Sequence, residues 1–313
     1  MRAAGVRQFG GDIQPLELPD PRGPQAGEVL IEVHAAGVGN WDEYVRTGSW
    51  DTGIRPPLAL GVEGAGVIVA VGADHGGLAP GDRVTTHSLP SRDQGAWAGY
   101  LLAAVADTAP LPPSTEWAAA AALPVPALTA DQAVRAAGIT GGQTVLVHGA
   151  GGVTGGLLVQ LSVLAGAEVI ATGSPAGAAR IMALGARQVL DYHDPRWPGQ
   201  ARSRAGDGVD AALNAVRGGA ATAIGAVRDG GALATITGDP PDAERGITVS
   251  SITVAPDGPR LAELAQLLAD GAISITIGAR YPLDQGAAAL TRVRAGLGGA
   301  AAVIEPRGGR DDR

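Results

Sequence analysis

The chain has 313 residues, 45% of them hydrophobic, a formal net charge of −8 and no cysteine. The acidic balance argues against general nucleic-acid affinity, and the lack of cysteine excludes disulfides and thiolate–zinc sites. No apolar run nears the ~20 residues of a membrane span and no basic-then-apolar leader is present, so a soluble, cytoplasmic protein is expected.

The length accommodates two domains. Residues 1–110 read as β-rich. Val29-Leu30-Ile31-Glu32-Val33 alternates like a half-buried strand, and residues 61–71 and 83–86 predict further strands around the turn Pro80-Gly81-Asp82. A short helix is expected over 40–46. From Trp117 an alanine-rich helix follows, broken by Pro124 and Pro126, with a second helical segment over 128–137. Strands are then predicted at 145–148, 168–172, 188–190, 209–214, 232–237 and 247–254, with helices over 157–164, 175–184 and 220–227. Such alternation predicts a parallel sheet covered on both faces, a doubly wound α/β arrangement. A helix over 259–270, a strand at 273–277, a helix over 287–295 and a strand at 302–304 break the rhythm and are assigned back to the first domain. Residues 308–313 are expected to fray.

The stretch that organises the chain is TVLVHGAGGVTGG, residues 144–156. Gly149, Gly152 and Gly155 follow a short apolar strand and precede leucines at helical spacing. Missing Cβ atoms let a pyrophosphate approach the backbone, where free amides at a helix N-terminus meet its charge. The predicted cradle comprises Gly149, Ala150, Gly151, Gly152, Val153, Thr154 and Gly155. An NAD site places an acid at the tip of the next strand to bind the ribose hydroxyls. Here the tip reads Thr172-Gly173-Ser174-Pro175, which permits a 2′-phosphate and hence NADP(H). Asn214 and Gly238 end later strands, where an open α/β sheet binds ligand.

With this order in place, the sequence resembles the medium-chain dehydrogenase/reductase superfamily, in its zinc-independent, zeta-crystallin-like quinone oxidoreductase branch. The resemblance is carried nearly end to end by Gly37-Val38, the segment Asp42-Glu43-Tyr44-Val45-Arg46-Thr47-Gly48, Leu60-Gly61-Val62-Glu63-Gly64-Ala65-Gly66, Gly81-Asp82-Arg83-Val84, Leu128-Thr129-Ala130, the glycine motif, Leu184-Gly185-Ala186, Asp191-Tyr192 and Tyr281-Pro282-Leu283. It implies a Rossmann dinucleotide-binding domain over 123–255 and a β-rich GroES-like catalytic domain formed by 1–122 and 256–313. Zinc-dependent relatives carry Gly-His-Glu where this chain reads Gly61-Val62-Glu63, and its five histidines show no ligand spacing; no metal is expected.

The resemblance further implies that Thr129 lies near the nicotinamide and that Ser174 and Tyr192 lie beside the 2′-phosphate. Relatives often carry a lysine near position 177. Gly177 stands there, and Arg180 is the nearest cation to replace it. Tyr44 is the candidate to hydrogen-bond the substrate oxygen. Relatives read Gly-Val-Asn-Pro where this chain has Gly37-Val38-Gly39-Asn40, so the amide is displaced by one residue and Asn40 is a second catalytic candidate. Trp41, Trp50 and Trp97 either line a flat pocket or pack. The expected reaction is hydride transfer from NADPH to a quinone or α,β-unsaturated carbonyl. Alternatives are an enoyl reductase of a polyketide-type route and a non-catalytic NADPH-binding structural or sensing protein. A homodimer pairing through residues 248–254 is also implied.

Overall fold

A computed structural model describes residues 1–89 and 91–307, so the expected fraying of 308–313 lies outside the described residues. The chain divides into two compact units, Met1–Leu128 with Ala255–Arg313, and Thr129–Val254. The second unit holds a parallel sheet of six strands among the described residues. Across it run Gln188–Asp191, Glu168–Gly173, Thr144–His148, Val209–Asn214, Val227–Thr235 and Thr248–Ser251. This is the doubly wound order, in which the order of the parallel strands reverses beside the first strand and opens a crevice at the carboxyl ends. Leu146, Ile170, Leu190, Trp197, Ile224 and Leu233 fill one face of the sheet.

Several boundaries differ from the sequence reading. The alanine-rich helix stops at Ala121, ahead of the prolines as expected, but Pro124 and Pro126 do not lie in a gap before a helix at 128. They begin one, Pro124–Ala136, because a first turn has no intrahelical partner for the amides proline lacks. The helix expected over 220–227 stops at Ala223 and tightens into a 3₁₀ turn, Ile224–Ala226. Val227 thereby enters the sheet opposite Val209, so the strand expected at 232–237 runs instead over Val227–Thr235 and passes through Asp229-Gly230-Gly231, which mimics a turn in sequence. The helix expected over 175–184 is a 3₁₀ turn, Pro175–Gly177, followed by Ala178–Ala183. Trp197–Arg204 is a helix that the periodicity missed. The strand expected at 273–277 begins only at Ile277 and continues to Pro282, since Ile273 is buried at the end of the helix Gly258–Ala269, its amide bonded to Leu267 O.

The first unit contains a seven-stranded, largely antiparallel sheet among the described residues, with Ala301–Glu305 and Ile277–Pro282 adding the C-terminal segment to the edge of Glu28–Val38. A smaller sheet joins Arg2–Val6 with Gln14–Glu17 and Leu58–Ala59. No helix among the described residues is long and apolar enough to cross a membrane. Trp97 is fully buried, its Nε1–H donating to Gly37 O at 2.9 Å, so it packs rather than lining a pocket. Trp97→Phe leaves that carbonyl unpaired and is expected to cost about 1–3 kcal/mol. Urea unfolding at unchanged m checks it; a change below about 0.5 kcal/mol would contradict the assignment.

Candidate functional site

The strand Thr144–His148 delivers the chain to Gly149, whose φ of +93° is left-handed and favours glycine. The helix Val153–Leu164 starts at Gly152 with no side-chain cap, leaving its first amides to an external acceptor. A Cβ on Gly155 would lie 2.0 Å from Gly149 O, so glycine is what lets this helix pack onto the loop. Gly151 and Gly152 are exposed, and a Cβ on Gly151 would meet nothing within 4 Å. Ala150 is buried behind them, and Val153 and Thr154 open the helix half-buried.

The loop is held from below. Thr172 Oγ1 accepts from Gly149 N at 3.0 Å and shares a 2.7 Å hydrogen bond with His148 Nδ1. His148 stacks on Trp197 at 4.5 Å, and burial takes its pKa down to about 4, so it is neutral at physiological pH. This accords with a structural histidine. Arg180 reaches the same loop, its Nη2 donating to Gly151 O at 2.8 Å and Ala150 O at 3.3 Å. Burial lowers its pKa, yet arginine stays charged.

At the strand tips, Gly173 ends its strand and Ser174 caps the following 3₁₀ turn by accepting from Gly177 N at 3.2 Å. Tyr192 stands one strand over, exposed, its amide donating to Gly173 O at 3.3 Å and its ring against His193. Asn214 is fully buried and donates from Nδ2 to Val216 O at 3.0 Å, Thr235 Oγ1 at 2.9 Å and Thr237 Oγ1 at 3.1 Å. Gly238 takes a φ of +72°, and Asp239 beside it accepts from Gly218 N, Thr235 Oγ1 and Thr237 Oγ1. The sequence reading missed Asp239, which ties the loop after Val209–Asn214 to the loop after Val227–Thr235; a short acid amid Thr-x-Thr-Gly-Asp was its signal. Thr129 is buried on the helix Pro124–Ala136.

In the first unit, the helix Trp41–Thr47 carries Tyr44, 40% exposed, and Asn40 precedes it, exposed and making no side-chain cap. A Cβ on Gly39 would lie 2.1 Å from the Trp41 ring. The indole therefore occupies the space of any side chain at 39, a physical reason for the displaced asparagine. Beneath the helix Asp42 is fully buried, Oδ2 accepting from Gly39 N at 2.8 Å, and burial pushes its pKa up to about 7 against the opposing pull of the Gly39 and Gly61 amides. Glu63 is buried too, accepting from Val125 N at 2.7 Å, and burial raises it well above the ordinary range, with Asp42 adding repulsion. His87 faces Glu63 across the sheet with neither ring nitrogen hydrogen-bonded, and burial lowers its pKa to about 4. Among the described residues no three His, Cys, Asp or Glu side chains converge as a metal site.

Comparison with known proteins places these features in context. Residues 25–113 match the alcohol dehydrogenase GroES-like domain, and residues 184–297 a family described as zinc-binding dehydrogenase. A quinone oxidoreductase of Pongo abelii is 30% identical over 97% of this chain and 97% of its own. One of Rattus norvegicus is 35% identical over 67% of this chain, which there spans 64% of the rat protein. A mycobacterial protein solved in complex with NADPH superposes with a TM-score of 0.84 at 28% identity, covering 98% of this chain and all of its own.

Two outcomes follow from the geometry. Gly155→Ala forces a methyl onto Gly149 O and is expected to destabilise the fold by about 1–3 kcal/mol; an unchanged urea midpoint would show that the loop yields freely. Folded Asp42 keeps its proton up to about pH 7, whereas the unfolded residue loses it near 3.8. It therefore withdraws stability as pH rises between those values. Asp42→Asn should gain on the wild type across that window, by up to ~1.4 kcal/mol per pH unit, and level off above it. A pH-independent difference in unfolding free energy would refute the assignment.

Proposed function

The chain belongs to the medium-chain dehydrogenase/reductase superfamily, in its quinone-oxidoreductase-like branch, and on that premise we propose that it uses NADPH to reduce a quinone or an α,β-unsaturated carbonyl compound. The observation that carries the reading is the uncapped helix start behind Gly149–Gly155, with Ser174 rather than an acid at the next strand tip. The open side of Gly151 and Gly152 fits a diphosphate that a side chain would obstruct. Gly149 to Gly155 hold the pyrophosphate. Ser174 and Tyr192 border the 2′-phosphate, and Thr172, Gly173, Asn214, Gly238 and Thr129 line the remainder of the dinucleotide. Bound NADPH supplies a hydride to the acceptor.

The protein's part is orientation and charge stabilisation. Tyr44 offers a hydroxyl to the substrate oxygen as negative charge develops there, with Asn40 as the neighbouring amide. In the same proposal the chain forms a homodimer through Thr248–Ser251, a half-exposed strand at the sheet edge whose outer backbone groups remain available for pairing.

NADPH consumption is expected with small quinones and enones. Tyr44→Phe should lower kcat/KM roughly 100-fold while NADPH Kd stays put. Enoyl thioesters in the same panel test polyketide-type enoyl reduction. NADPH binding with no consumption by any acceptor would leave a binding protein in place of an enzyme.

A further inference from the structure

Arg180 stands on the short helix Ala178–Ala183 and reaches the glycine-rich loop, where it hydrogen-bonds Ala150 O and Gly151 O. Its Nη1 lies 3.6 Å from the point a Cβ on Gly156 would occupy, so the guanidinium sits over the first turn of Val153–Leu164. Its Nε is buried and has no hydrogen-bond partner. A trans peptide sets its N–H opposite its C=O. Carbonyls 150 and 151 drawn to the guanidinium therefore fix both peptide planes: the Gly151 amide turns the other way, to the open side of the loop, and the Gly152 amide closes onto Gly149 O at 3.3 Å. A cation at the positive end of a helix is electrostatically unfavourable by itself. An anion lying against the loop is attracted by both, and in a chain of net charge −8 it needs such a local field.

We infer that Arg180 is a positioning residue of the pyrophosphate cradle: it fixes the peptides that present the loop amides and supplies the positive charge behind them. This rests on the dinucleotide reading above. It differs from a role at the 2′-phosphate, because a guanidinium bound to the loop carbonyls acts on the diphosphate that NADPH and NADH share.

The test measures Kd for NADPH and NADH in the full chain with Arg180→Met and Arg180→Lys, alongside thermal midpoints of the free proteins. Arg180→Met is expected to weaken both dinucleotides by the same factor, tenfold or more, leaving their ratio at the wild-type value. Arg180→Lys should recover part of the loss, since its ammonium restores the charge but not the planar guanidinium geometry that aims Nη2 at both carbonyls. Loss confined to NADPH would overturn the inference and move Arg180 to the 2′-phosphate. Unchanged affinity for both would also overturn it, as would a loss of midpoint with no rescue of binding by lysine. If Arg180→Met does not fold, the lysine variant's NADPH-to-NADH ratio decides. Wild-type protein that binds neither dinucleotide would instead remove the functional reading on which the inference stands.

Discussion

The start of the helix Val153–Leu164 lies so close to the preceding loop that a single methyl at Gly155 would sit 2.0 Å from Gly149 O. That contact fixes the direction in which the helix leaves the sheet, and with it the direction of the unsatisfied amides at its start. The helix is buried along most of its length, including Leu157, Leu158 and Val159, so it cannot adjust its position to accommodate a bulkier loop. Gly149 in turn is held by the Thr172 hydroxyl. The loop's shape is thus set by packing on one side and hydrogen bonds on the other. Such pre-organisation lowers the entropic cost of binding.

The first unit uses absent side chains differently, to make room for large or polar groups. A Cβ on Gly37 would lie 2.2 Å from Glu63 Oε1, and one on Gly61 would lie 2.3 Å from the Trp97 ring. Glu63 then meets the amide of Val125 at the start of the helix Pro124–Ala136. A buried carboxyl at a helix N-terminus is stabilised by the local dipole, which offsets part of the desolvation that raises its pKa. Asp42 and His87 are likewise buried, and each is driven toward its neutral form. The unit therefore places three titratable groups in its interior with little charge among them.

The parallel sheet, its six strands and the glycine loop were legible because each rests on local signals: short β-branched runs, glycine spacing and helical leucines. Boundaries failed where tertiary demands overrode those signals. Val227 joins the sheet through Asp229-Gly230-Gly231, although that triplet has turn chemistry. Pro126 sits inside a helix because it falls in its first turn. Tyr44, Ser174 and the glycines were visible as motif members. The His148–Thr172 clamp and the Asp239 tie were not, because they join residues 21 to 24 positions apart through strand neighbours that sequence order does not reveal. In sequence Arg180 is only the nearest cation to the lysine missing near Gly177. Only the three-dimensional arrangement shows its Nη2 donating to both loop carbonyls.

Asp239 receives hydrogen bonds from the loops that follow two neighbouring strands. Joined through one carboxylate, the two segments move as a single mechanical body and cannot open independently. Restricting either one restricts the other, so the conformational entropy surrendered on immobilising the pair is less than the sum for two separate loops. A molecule that touches only one of them therefore stiffens both.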